Sequence, residues 1–381
     1  MFKIFIEFVK DLYKTNEFIP LHEPKFIGNE SNYVLDAIES SFVSTNVGEY
    51  VSNFEDMLCD YTGSKFAVTT VNGTSALHMA LLINGIKQGH EVITQSLTFV
   101  STCNAISYVG ASPIFVDVNK ENLSLSATAL KEFIEEYTFM NDQGELVNKK
   151  TKKLITACIP MHTFGFPADI LSIKKICEEN NIVLIEDAAE SLGSYYQNQH
   201  TGTIGDASIL SFNGNKVITT GGGGMLLTNN ERLANLAKHL TTQARKKHAW
   251  SFDHDMIGYN YRLPNLNAAM GCAQMEILTK ILEGKRTLAN NYLTWGKQYD
   301  SEFIHEASCS KANYWLNTLI TKNIEERDEF LEKTNSSNIM TRPVWKPMHE
   351  LEMYKSNQRD SLKNTSWLSE RIVNVPSTPI I

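Results

Sequence analysis

The 381-residue sequence contains no run of about 18 consecutive apolar residues, so it offers no membrane-spanning helix. Its 6 cysteines, Cys59, Cys103, Cys158, Cys177, Cys272 and Cys309, form no CxxC pair and have no histidine at metal-ligand spacing. That excludes a zinc ribbon and a small disulfide scaffold, and makes reduced thiols in a metal-free cytoplasmic enzyme the expectation. An excess of positive charge is missing too: 35 Lys plus Arg against 43 Asp plus Glu leave a net charge of −8, which disfavours nucleic acid and anionic membrane as partners. There is no low-complexity tract and no internal repeat, and 42% of the residues are hydrophobic, which excludes a disordered or fibrous chain. No GK[ST] follows the first glycine-bearing loop and no GxGxxG follows the first strand, so the Walker and nicotinamide-binding fingerprints are absent.

What is present is the signature of an α/β protein with two lobes, because single cores stop growing at roughly 250–300 residues. Short β-rich runs alternate with helical stretches from residue 65 to about 230, the pattern of βαβ units on a mostly parallel sheet of about seven strands. The expected strands are Phe66 to Thr70, Glu91 to Gln95, Pro113 to Asp117, Lys153 to Ile159, Ile182 to Glu186, Ala207 to Phe212 and Met225 to Thr228. Helices are expected over Thr74 to Ile83, Phe99 to Tyr108 with Gly110 just past its end, Ala127 to Tyr137, Asp169 to Asn180 and Asn230 to Thr242.

Ahead of the sheet, Phe5, Phe8, Val9 and Leu12 fall at helical spacing and are interrupted by charge, which predicts a docking helix and not a signal peptide. Asn29 can cap a helix that buries Val34, Ala37, Ile38 and Phe42, and a second helix with Val51, Phe54, Leu58 and Tyr61 stops at Gly63. Beyond the sheet, Pro264 opens a long apolar stripe of Leu266, Ala269, Met270, Ala273, Ile277 and Ile281. The rest reads as a small α+β lobe, so the chain divides into 1–255, with the large domain, and 256–381, with the long helix and the small domain. The cluster Arg245, Lys246, Lys247 and His248 reads as a solvated helix end.

In an open parallel sheet, ligands collect beyond the carboxyl ends of the strands, where helix N-termini present unpaired N–H groups. Five segments fall there. Gly73-Thr74-Ser75 can seat a phosphate on a helix start, or can simply be an N-cap at Thr74 or Ser75. Asp187 ends a buried apolar strand, where a carboxylate needs a cation or several donors, supplied by a ligand or by a structural salt bridge or cap. Ser211 and Lys216 follow a strand and precede the four glycines Gly221 to Gly224. A lysine in such a loop can become a nucleophilic amine, and the glycines make either a tight turn or a phosphate cradle. Phe99 can lie over a planar ring or belong to the core, and Gly258-Tyr259-Asn260-Tyr261-Arg262 forms a polar, aromatic loop. A phosphate seat, a stacking aromatic, a buried carboxylate for a ring nitrogen and a lysine are together what pyridoxal phosphate requires.

The order Gly73-Thr74-Ser75, Phe99, Asp187, Ser211, Lys216, Asn260, with EDAAESLG, SFNGNK and GYNYRLPNLNAA, resembles the DegT/StrS family of sugar-nucleotide aminotransferases over nearly the whole chain. FIPLHEPKFIGNE, MHTFG, TTGGGGM and TRPVWKPMH resemble more narrowly the branch that aminates C4″ of UDP-4-keto-6-deoxy-N-acetylglucosamine for bacillosamine and legionaminic acid precursors. The resemblance implies a fold-type I pyridoxal 5′-phosphate transferase, with Lys216 joined to the cofactor and shuttling protons and Asp187 facing its pyridine nitrogen. Ser211, Thr74 and Ser75 would hold the phosphate together with Asn260 of the neighbouring subunit, Phe99 would stack on the ring, and Glu190 would lie near O3′, where a Gln or His often stands.

It further implies a homodimer with shared sites and a two-stage reaction in which L-glutamate converts the cofactor to pyridoxamine 5′-phosphate and a keto sugar then takes the amine. Arg262, Arg342 and Lys346 are candidate anion contacts, and Tyr314 and Trp345 candidate sugar or nucleobase walls. GDP-4-keto-6-deoxymannose or a 3-keto nucleotide sugar is the alternative substrate. Lys216 argues against a dehydratase, in which histidine replaces the lysine, and the full set of cofactor residues argues against a catalytically silent regulatory relative.

Overall fold

The computed structural model describes residues 2–44 and 48–381. Seven strands form the central sheet: β1 (Phe66–Thr70), β2 (Glu91–Gln95), β3 (Ser112–Val116), β4 (Ile155–Ile159), β5 (Val183–Asp187), β6 (Ala207–Ser211) and β7 (Gly224–Thr228). Their spatial order is β1-β7-β6-β5-β4-β2-β3. From β6 to β3 every neighbouring pair is parallel, whereas β7 runs antiparallel to both β6 and β1. The chain between β6 and β7 contains no helix, so it returns the strand in the opposite sense; a parallel pair would need a longer crossover. All seven expected strands are present, with ends displaced by one or two residues where they differ.

Helices α2 (Glu30–Glu39), α3 (Glu49–Thr62), α4 (Gly73–Ile83), α5 (Val100–Tyr108), α6 (Ala127–Tyr137), α7 (Ile170–Glu179) and α8 (Glu231–Thr241) precede or flank the sheet. Helix α3 stops at Gly63, whose φ of 80° suits glycine and whose N–H donates to the Cys59 carbonyl. The cap of α4 is Asn72, not Thr74 or Ser75: its Oδ1 accepts from the Ser75 N–H at 2.8 Å. That leaves the hydroxyls of Thr74 and Ser75 uncommitted to capping. A hairpin of Thr138–Met140 and Leu146–Asn148, unforeseen in the sequence, follows α6.

Two helical expectations need correction. Of Val34, Ala37, Ile38 and Phe42, only Ala37 is buried; Ile38 is 52% and Phe42 48% exposed. Helix α2 packs through its small side on the helix that follows Pro264 and turns its larger apolar side chains outward. The long stripe after Pro264 is two helices, α9 (Asn265–Glu276) and α10 (Leu278–Gln298), meeting at Ile277. Leu266 and Met270 remain half-buried because α9 packs through small residues; a Cβ on Gly271 would lie 2.8 Å from the Phe54 ring.

The small lobe is an antiparallel sheet of β8 (Glu302–Phe303), β9 (Asn317–Ile320), β10 (Arg342–Pro343) and β11 (Ile372–Val375), ordered β8-β9-β11-β10. Helices α11 (Ile324–Ser336) and α12 (Lys363–Ser369) complete it. The N-terminal helix α1 (Phe2–Tyr13) packs on this lobe, with Phe5 and Val9 buried among Tyr292, Trp295 and Phe330. A single apolar cluster runs from Phe54 and Leu58 through Leu210 and Phe212 to Trp315, Val344 and Leu368. This cluster joins the two lobes, and the cleft described next lies on their seam.

Candidate active site

The carboxyl ends of β1, β5 and β6 open into a cleft of about 250 Å³, lined by Asn72, Gly73 and Thr74 at the start of α4, by Phe99 and Ser101 at the start of α5, and by Asp187, Glu190, Ser211 and Lys216. Met161, Asn213, Asn215, Trp315 and Trp345 close it. The seat at α4 depends on missing side chains. A Cβ on Gly73 would lie 3.0 Å from Ser211 Cβ, so glycine lets the helix start come down on the end of β6. Gly224 goes further: a Cβ there would lie 2.5 Å from the Asn72 carbonyl and 2.7 Å from the Gly73 nitrogen. The glycine run thus supports the seat from beneath by close backbone approach.

Asp187, the last residue of β5, is fully buried. Its Oδ2 accepts from the Thr102 hydroxyl at 2.7 Å and its Oδ1 from the Ala189 N–H at 3.2 Å. Burial raises the carboxyl above its ordinary range, opposed mainly by the Thr102 hydrogen bond. A cation at the open side of this carboxylate would be strongly favoured. Thr102 in turn lies 3.0 Å from the Thr98 hydroxyl, so α5 fixes the direction in which Asp187 faces.

Lys216 projects from the loop after β6, and its Nζ lies 3.2 Å from Glu190 Oε1 and 3.9 Å from the centroid of the Trp315 ring. The other oxygen of Glu190 accepts from the Phe164 N–H at 2.8 Å. Phe164 adopts a left-handed φ of 56°, which aims that N–H at the carboxylate; holding the 161–165 turn in this shape is what the MHTFG segment does. Burial raises the Glu190 carboxyl to about 7, against the opposing charge of Lys216. Behind this layer, His162 donates from Nε2 to buried Glu186 at 3.0 Å, since its Nδ1 accepts from the Ala168 N–H.

The structure brings Gly73, Thr74, Phe99, Asp187, Glu190, Ser211, Lys216 and Trp345 to one cleft. Ser75 is buried beneath the seat and does not line it. Asn260 is exposed, bridged to Thr242, and stands off the cleft of its own chain. Arg262, Arg342 and Lys346 do not line it either, the last two being exposed. Tyr314 is displaced for a clear reason: with φ at 50° it turns to pack edge-on against Phe166, and its hydroxyl accepts from the Glu306 N–H at 3.4 Å. The neighbouring Trp315 takes the wall instead. Asn72, Thr102, Phe164 and Trp315 were not singled out as site residues. Asn72 directly precedes the Gly73 segment and Phe164 belongs to the MHTFG segment, whereas nothing local marks Thr102 or Trp315.

These residues fit pyridoxal 5′-phosphate. The glycine-lined seat at the N-terminus of α4 suits a phosphate, the buried Asp187 suits a pyridinium nitrogen, Phe99, 47% exposed at the cleft, suits a ring face, and Lys216 suits the aldehyde. Fold and site together define a fold-type I pyridoxal-phosphate-dependent aminotransferase. The chain belongs to the DegT/DnrJ/EryC1/StrS aminotransferase family, whose profile matches residues 25–381.

Among curated proteins it is similar to a GDP-perosamine synthase of Escherichia coli O157:H7, 36% identical over 368 residues and covering 95% of this chain and 94% of that one. Among solved structures it is similar to a DegT DnrJ EryC1 StrS aminotransferase from Brucella abortus, with a TM-score of 0.83, 26% identity and coverage of 92% and 90%. It shares its fold with Spr1654 from Streptococcus pneumoniae, solved in PLP and PMP forms; the PMP form has a TM-score of 0.84 at 22% identity and covers 94% of this chain and 92% of that one.

Proposed function

We propose that this chain moves the amino group of L-glutamate onto a 4-keto-6-deoxy nucleotide sugar in the cytoplasm, for a bacterial surface glycan. The observation that carries the proposal is that Lys216 and the buried Asp187 line one cleft of about 250 Å³. The similarity to a GDP-perosamine synthase favours GDP-4-keto-6-deoxymannose as the keto sugar over UDP-4-keto-6-deoxy-N-acetylglucosamine, the substrate suggested by the short motifs.

When bound, the cofactor supplies an aldehyde that carries the amino group and a ring that withdraws electrons from the reacting carbon. Asp187, held by Thr102, keeps the ring nitrogen protonated. Thr74 and Ser211 would hold the phosphate, with Ser75 packed beneath them at the helix start, and Phe99 would cover one ring face. Lys216 would move a proton on and off the reacting carbon, and Glu190, 3.2 Å from the amine, would hold the side of the ring that carries its hydroxyl. Trp345 and Trp315 would wall the sugar, and Arg342 and Lys346, exposed outside the cleft, would contact the diphosphate.

Asn260 and Arg262 serve the cleft of a second copy. Supporting this, Asn260 is exposed and outside its own cleft, in a segment that also carries Trp250 and Ile257, 80% and 85% exposed, and large exposed apolar side chains of this kind mark an association surface. Borohydride reduction of the holoenzyme followed by peptide mass mapping should place a pyridoxyl group on Lys216. Incubation with L-glutamate and a panel of GDP-, UDP- and dTDP-linked 4-keto and 3-keto sugars should give a 4-amino product. An unmodified Lys216, or turnover of 3-keto sugars alone, overturns the reading.

A further inference from the structure

We propose that Trp315 is a positioning residue for the Lys216 amine, acting from the small lobe through its ring face and its indole N–H. The inference rests on the reading of Lys216 as the reacting amine. The Lys216 Nζ lies 3.9 Å from the ring centroid, within the range of a cation–π contact, and 3.2 Å from the Glu190 carboxylate. The amine is therefore held from two sides. In the same residue the indole N–H donates to the Asn215 carbonyl at 2.7 Å, fixing the peptide immediately before the lysine. One side chain thus holds both the amine and the backbone that carries it.

Trp315 is itself bolted to the rest of the site. Its backbone N–H donates to Asn313 Oδ1 at 2.7 Å, and Asn313 Nδ2 donates to the Glu190 carbonyl at 2.9 Å. Its carbonyl accepts at 3.1 Å from Nζ of Lys285, a fully buried side chain on α10 that also donates to the Ser377 carbonyl at 2.9 Å. The Leu316 N–H donates to the Phe164 carbonyl, joining the turn that clamps Glu190. The 313–316 segment consequently ties the Lys216 loop, the Glu190 loop and the Phe164 turn into one frame. A lysine that is released each time the cofactor takes up an amino group needs such a frame to return to one place, because long lysine side chains otherwise sample many rotamers.

The test compares Trp315→Met, which keeps bulk but removes ring and donor, with Trp315→Phe, which keeps a ring, and with difluorotryptophan at position 315. The last keeps shape and N–H but weakens the ring face, so it folds even if the methionine variant does not. For the holoenzyme with L-glutamate, Trp315→Met should lower kcat about tenfold, equivalent to about 1.4 kcal/mol, with KM within about twofold. It should also alter the visible circular dichroism of the lysine-bound cofactor. Trp315→Phe should recover kcat to within about threefold of the natural enzyme, and the fluorinated residue should lower it severalfold without changing thermal stability. An unchanged kcat and dichroism in the methionine or fluorinated protein, or a change confined to KM, overturns the proposal. Borohydride labelling of Lys216 in each variant separates that outcome from failure of the functional reading, which would leave the lysine unlabelled in the natural enzyme too.

Discussion

Lys216 Nζ and Glu190 Oε1 stand 3.2 Å apart with the carboxyl group almost completely shielded from water. Burial lifts that carboxyl to about 7 from an ordinary 4.5, with Lys216 pulling the other way. Between those values the folded chain holds more protons than the unfolded one, so this group subtracts stability as the pH rises through the window. Glu190→Gln removes the titration. Urea midpoints of the cofactor-free proteins should show the variant gaining on the natural chain from pH 4.5 towards about 7; a constant difference, or a gain in the opposite direction, contradicts the assignment.

Asp187→Asn should bind cofactor yet lower kcat by about 100-fold or more, because an amide cannot balance a ring positive charge in a buried site. Thr102→Val leaves the carboxylate but removes the 2.7 Å hydrogen bond that orients it. Its expected cost is a loss of about tenfold in kcat with KM for L-glutamate little changed. Steady-state kinetics on both variants check the pair, and a Thr102 variant with natural kcat would remove the orienting role.

Gly224→Ala places a methyl group 2.5 Å from the Asn72 carbonyl, in backbone that cannot yield cheaply. Cofactor affinity should fall at least about tenfold and stability by about 1–3 kcal/mol. Gly222→Ala is the control, since its added carbon meets nothing nearer than 4.0 Å. Equilibrium dialysis of pyridoxal phosphate and urea unfolding read both effects, and equal behaviour of the two variants would dismiss the close-approach argument.

Glu186 accepts from His162 and from the N–H groups of Gly202, Ile204 and Gly205 while fully buried. Burial pushes its carboxyl up, but the His162 hydrogen bond and the backbone donors together bring it below the usual range. Its contribution is therefore complete above the ordinary carboxylate value and is lost as the pH falls through the lower folded value. Glu186→Gln, which turns an NH₂ towards facing donors, should cost about 3 kcal/mol near neutral pH. Urea unfolding measures it; a loss below about 1 kcal/mol there would show that the group is not the anchor described.

The seven strands were legible because their buried runs of Val, Ile, Leu and Phe are bounded by turn residues, and the cofactor candidates because they stand at strand ends. The antiparallel sense of β7 was not legible, since it depends on how the glycine loop crosses the end of β6. Nor was the exposure of Ile38 and Phe42: an apolar spacing shows that a face wants cover and not whether this chain supplies it. Tyr314 and Trp315 are adjacent aromatic residues in sequence, and only the backbone turn at Tyr314 decides which enters the cleft.

The sequence by itself determined the parallel α/β core, the family, and the lysine and aspartate at the ends of β6 and β5, because periodicity and strand-end placement are local properties. Tertiary structure alone decided that Thr102 aims Asp187, that Phe164 clamps Glu190 and that Trp315 meets Lys216. Each of these contacts joins residues whose distance and direction are set by how separate elements pack, and no local pattern encodes that.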